Sequence, residues 1–132
     1  MRYTTTDLTP CIGTEVKTDL AALLSGAIAQ DLRDLLEQRG VLVFRGLSMS
    51  DDEQLLFAKT LGVPRHEHGT DITKVSSDKH LSPIFAEYTE GTYFYHFDDT
   101  YMNVPVLANS VWPPAGATVR ARSTEASAGT FM

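Results

Sequence analysis

The chain has 132 residues, 42% of them hydrophobic, which suits one domain with a modest core. A net charge of −6 and a pI near 5.0, with no run of Lys and Arg, exclude the basic surface that nucleic acid or an anionic membrane would need. No apolar run approaches the ~20 residues of a membrane span, and the N-terminus lacks the apolar core of a signal peptide, so a cytoplasmic protein is expected. Cys11 is the single cysteine. It can form no intrachain disulfide and belongs to no thiolate metal cluster, and it reads as a small, half-buried residue.

In chain order, Pro10 and Gly13 precede the alternating Thr14-Glu15-Val16-Lys17-Thr18, which predicts a turn leading into a short edge strand. From about Ser25 to Arg39, Ala27, Ile28, Leu32, Leu35 and Leu36 recur at helical spacing opposite Asp31, Arg33, Asp34, Glu37 and Gln38. Gly40 stops that helix, and Val41-Leu42-Val43-Phe44 is an apolar run short enough for a buried strand, ended by Arg45-Gly46. Ser50 with Glu53 forms a capping box. Behind it Leu55, Leu56, Phe57, Ala58 and Leu61 predict a second helix, closed by Gly62 and Pro64.

Residues 65–82 carry His66, His68 and His80 among polar residues and read as loops around one strand near 71–75. Next comes Gly91-Thr92-Tyr93-Phe94-Tyr95-His96-Phe97-Asp98-Asp99, an aromatic and β-branched run that predicts a strand. Along it Phe94, His96 and Asp98 share one face, and Tyr93, Tyr95 and Phe97 share the other. An imidazole and a carboxylate on one face of a rigid element suit a divalent metal, because non-haem Fe(II) oxygenases hold iron with two histidines and one carboxylate. Taken alone, the pair reads rather as structural, His96 hydrogen-bonding Asp98 or a neighbour on a half-buried strand, and it is the context that favours a metal. The segment 104–112 is strand-like, with Pro105 near its start. From Pro113 onward only Val119, Phe131 and Met132 are sizeable apolar groups, so 113–132 is expected to be a poorly ordered tail to a domain spanning 1–112.

The order of these pieces resembles the taurine dioxygenase-like (TauD/TfdA) family of Fe(II)- and 2-oxoglutarate-dependent dioxygenases. The matching residues are Gly40-Val41-Leu42-Val43-Phe44-Arg45-Gly46, Phe57-Ala58-Lys59-Thr60-Leu61-Gly62, and the stretch from Gly91 to Asp98 with Val104-Pro105 behind it. The resemblance covers roughly residues 8 to 112 and implies the N-terminal portion of the family's domain. It implies an α+β fold, an incomplete double-stranded β-helix (jelly-roll). Two N-terminal helices would pack on one face of a mostly antiparallel sheet containing 41–45, 92–98 and 106–112. It also implies Fe(II) held by His96 and Asp98, 2-oxoglutarate as cosubstrate and a small organic substrate. The family's Gly-Gly-x-Thr segment, whose threonine touches 2-oxoglutarate, has its nearest match in Ala115-Gly116-Ala117-Thr118, which makes Thr118 the candidate cosubstrate contact.

Family members carry a second iron-binding histidine and an arginine well downstream of the His-x-Asp pair. No histidine follows His96 here, and the composition after Trp112 reads as a sequence out of the family's frame. Three readings therefore stand side by side. The chain is a dioxygenase portion; or a non-catalytic interaction module in which His96 and Asp98 are structural; or a metal-storage domain using His66, His68 and His96. No nucleic-acid or membrane partner is expected, and a homo-oligomer is.

Overall fold

Threonine-rich β1 (Tyr3–Asp7) and β2 (Thr14–Thr18) favour extended backbone through their β-branched side chains. They pair antiparallel, with Tyr3 opposite Thr18 and Asp7 opposite Thr14. The computed structural model describes residues 3–65, 72, 80, 102–104 and 106–112. Residues 1–64 with 108–132 form one compact unit, and 65–107 form a second.

In the first unit the chain continues from β2 into α1 (Leu20–Leu24). Asp19 caps this helix, its carboxylate accepting the Ala22 N–H at 2.7 Å. A turn through Gly26, at φ +71°, leads into α2 (Ala29–Arg39). Gly40 ends α2 in the left-handed region at φ +68°, its N–H donating to the Leu36 carbonyl at 2.7 Å. The turn brings β3 (Leu42–Val43) alongside β2 in parallel, and the Thr14 N–H donates to the Val41 carbonyl at 2.9 Å. Parallel neighbours need a crossover, and α1 with α2 supplies it. The result is a mixed sheet in the order β1-β2-β3.

Helix α3 (Asp51–Leu61) carries the complete capping box. The Ser50 hydroxyl accepts the Glu53 N–H, and the Glu53 carboxylate accepts the Ser50 N–H at 2.8 Å. All three helices contribute to one core cluster with Val16 and Leu42 of the sheet: Leu23 from α1, Leu32 from α2 and Phe57 from α3, joined by Ile28, Phe44 and Met49. Phe57 is wholly buried and meets Phe44 edge to face, with ring centroids 6.0 Å apart at 79°. Since alternate strand residues face opposite ways, Val43 points away from Leu42, and it too is buried, outside that cluster.

The structure thus shows the expected α+β arrangement of helices on a sheet, with four corrections. β2 lies at the centre of the described sheet, because Thr4-Thr5-Thr6 forms an unforeseen outer strand beside it. Residues 106–112 contain no strand. A Gln54 side chain bonds Ser110 where a ladder partner would be, and Trp112 packs on the core. The predicted helix from Ser25 begins at Ala29 instead, since Ser25 closes α1 and Gly26 breaks the path between them. Cys11 is exposed rather than half-buried, at the tip of the β1–β2 connection. The expected strands at 71–75 and 92–98 lie outside the described residues, apart from Ile72, which sits in a bend. Among the described residues no helix is long and apolar enough to cross a membrane.

Candidate functional site

Two polar clusters in the first unit fix the frame. The first joins the end of α2 to the β1–β2 connection. Arg39 donates to the Thr9 carbonyl at 2.7 Å, to the Thr14 hydroxyl at 3.0 Å and to the Pro10 carbonyl at 3.3 Å, and it pairs with Asp7 at 3.4 Å. Thr14 is fully buried, and its hydroxyl donates to the Asp7 carboxylate at 2.8 Å while accepting from Arg39. A buried hydroxyl is stable only when its bonds are made, and here both are. This cluster is fully paired within itself and holds two strands and a helix in register.

The second cluster links α3 to the chain returning from the second unit. The Gln54 amide donates to the Ser110 carbonyl at 3.0 Å and to its hydroxyl at 3.3 Å. Two residues on, Trp112 is half-buried against the core. Near the other end of α3, Arg33 donates to the Leu61 carbonyl at 2.7 Å, satisfying a C-terminal group of that helix from α2.

Among the described residues, two ionisable groups are shifted. Partial burial, the Asp31 carboxylate beside its hydroxyl and the Asp34 charge together raise the Tyr3 phenol above its ordinary value. The Ser50 N–H and hydroxyl that bond the Glu53 carboxylate lower its pKa. Both belong to structural contacts.

The sequence-predicted site residues His96, Asp98 and Thr118, with His66 and His68, lie outside the described residues. Among the described residues no group of three or more His, Cys, Asp or Glu could hold a metal ion. The donor set that the sequence supplies still fits Fe(II): an imidazole lone pair and an ionised carboxylate two residues apart are both borderline-to-hard ligands of the kind that iron takes. Residue-by-residue reading missed the Asp7–Thr14–Arg39 cluster and the Gln54–Ser110 bond, because both join residues distant in the chain. The signal available for the first was the run of threonines ahead of Asp7, whose β-propensity marks a strand.

Comparison with known proteins supplies the remaining finding. A family model described as Taurine catabolism dioxygenase TauD, TfdA family matches residues 4–110, a span that encloses His96-Phe97-Asp98 and stops short of Thr118. No curated protein and no solved structure matches the chain. The match runs over most of the sequence, through every described strand and helix, and the chain belongs to the TauD/TfdA dioxygenase family.

Proposed function

We propose that this chain provides His96 and Asp98 as two iron ligands of an Fe(II)- and 2-oxoglutarate-dependent dioxygenase acting on a small organic molecule. The single observation that carries the reading is the family match, which contains the His96-Phe97-Asp98 triplet in a span that also covers the helical frame. The fold that goes with it is a double-stranded β-helix, with β1–β3 and the three helices as its N-terminal part. Fe(II) held by His96 and Asp98 would supply, with 2-oxoglutarate and oxygen, the oxidation of a substrate C–H bond, one oxygen atom going to the product and the other to the succinate formed with release of carbon dioxide.

The chain's own residues have defined tasks in that reading. His96 offers a neutral imidazole nitrogen, and Asp98 a carboxylate whose negative charge offsets that of the cation. On the extended backbone that the sequence predicts, that spacing would turn both to one face and leave Tyr93, Tyr95 and Phe97 for the other. Thr118 is the candidate contact to 2-oxoglutarate.

The test is an anaerobic Fe(II) titration of the purified chain against a chromophoric chelator. His96→Ala and Asp98→Ala should each abolish competition for the ion, because a two-point site reduced to one loses its chelate geometry. Undiminished affinity in His96→Ala would overturn the assignment and favour His66 and His68. Absence of Fe(II) uptake in the unaltered chain would leave the non-catalytic module as the better reading.

A further inference from the structure

The hydrogen bonds around β2 decide which way the backbone of β1 points. The Leu8 N–H donates inward to the Gly13 carbonyl at 2.9 Å, while the Thr14 N–H, opposite Asp7, donates away from β1 to the Val41 carbonyl at 2.9 Å. Asp7 and Thr14 are therefore a non-hydrogen-bonded pair. Such pairs alternate with hydrogen-bonded ones, so Thr4 and Thr6 turn their N–H and C=O groups toward β2, and Tyr3, Thr5 and Asp7 turn theirs to the outer edge of the sheet. Among the described residues no other backbone group bonds to that edge, and Thr4, Thr5, Thr6 and Asp7 are all exposed. We infer that this edge is a homotypic interface, at which β1 of a second copy of the chain pairs antiparallel about Thr5.

The residues of the edge commit it to its own copy. Centred on Thr5, a two-fold register sets Thr5 against Thr5, Tyr3 against Asp7 and Thr4 against Thr6, and each outward residue exchanges backbone bonds with its opposite. Asp7, the one charged residue of β1, then lies across from Tyr3 rather than from another Asp7. Its charge is already paired by Arg39, at 3.4 Å. The devices by which edge strands refuse a neighbour, a lysine, a proline or a bulge, are absent from Tyr3–Asp7. Five residues per copy bury little area, so the dimer is weak and follows concentration.

Sedimentation equilibrium of the full 132-residue chain should give a mass that rises with concentration from 14.5 kDa toward twice that value. Thr5→Pro removes an outward N–H and leaves the bonds between β1 and β2 in place, so it should hold the mass at the monomer's. If Thr5→Pro loses the circular dichroism of the unaltered chain, Thr5→Lys carries the test, since it sets two like charges face to face at the centre of the register. Register is read by oxidative cross-linking in a Cys11→Ser background, because Cys11 is itself exposed. With Cα atoms about 5.5 Å apart across the pair, Thr5→Cys should form a disulfide-linked dimer. Thr4→Cys, two positions out of register with its own copy, should not. A chain that stays monomeric at every concentration, or whose association survives Thr5→Pro and Thr5→Lys, would overturn the pairing. So would equal cross-linking of Thr4→Cys and Thr5→Cys, or growth past the dimer, since a two-fold pairing uses up the edge.

Discussion

Arg39 is the residue on which the described frame depends most, and its geometry says why lysine could not replace it. The planar guanidinium reaches the Thr9 and Pro10 carbonyls, the Thr14 hydroxyl and the Asp7 carboxylate at once, whereas an ammonium is a point charge with no fork. Its side chain is 15% exposed but that of Asp7 is 61% exposed, so the ion pair is screened and contributes less than the bond to the buried Thr14. Arg39→Met should cost about 2 kcal/mol of stability, read as a lower urea midpoint at unchanged slope, and Arg39→Lys should recover less than half. A loss within the error of the midpoint would show that water replaces the guanidinium without penalty. Glu53 makes a second residue-scale case. Its lowered pKa means that its contribution is present above the unfolded-state value and fades as pH falls through the folded-state one. Glu53→Gln retains the capping bond without the charge, so thermal melts of that variant should lose part of the acid-range slope shown by the unaltered protein.

At the scale of elements, helices were legible in the sequence and strands much less so. The 3.6-residue spacing of Ile28, Leu32, Leu35 and Leu36, the Ser50/Glu53 box and the glycines after Arg39 and Leu61 are local signals, and the helices end where they say. A strand depends on what lies beside it. Val106, Leu107 and Val111 have the β-propensity of a strand, yet no ladder forms there, because the backbone at Ser110 is claimed by Gln54. Conversely, Thr4-Thr5-Thr6 looks like polar leader sequence until β2 is placed next to it. Helix α1 was missed because five residues are too few to show a period, although its Asp19 cap was there to be read. Gly40 tests the local logic. A Cβ there would meet only the Ile12 side chain, its Cδ1 and Cγ1 both at an ordinary 3.5 Å, so the cost of Gly40→Ala comes from φ +68° and should be about 1 kcal/mol. A cost near zero in urea unfolding would mean that the turn relaxes out of the left-handed region.

For the molecule as a whole, the family was legible from residue identity and order, while the candidate ligands lie outside the described residues. His-x-Asp behind an aromatic run, in order after the Gly-Val-Leu-Val-Phe-Arg-Gly stretch and the capped helix, pointed to the family that the match confirms. Side-chain chemistry cannot be read the same way for the rest of the site, because a ligand set is assembled by the fold from distant positions. Iron held in the facial arrangement takes three protein ligands, and the function proposed above assigns two of them to His96 and Asp98. In a polypeptide of these 132 residues a third has to come from a histidine before residue 96 or from a second copy, and otherwise from chain beyond residue 132. With only those two protein ligands the ion would keep most of its water, and oxygen would meet a hydrated cation rather than a shaped, dry site. The 132-residue polypeptide, supplied anaerobically with Fe(II) and 2-oxoglutarate and then with oxygen, should therefore form succinate no faster than free iron does. Succinate above that control, abolished in His96→Ala, would show that the third ligand is present. A dependence of the rate on protein concentration would then assign it to a second protomer, and its loss on replacing His66 or His68 would assign it to those residues.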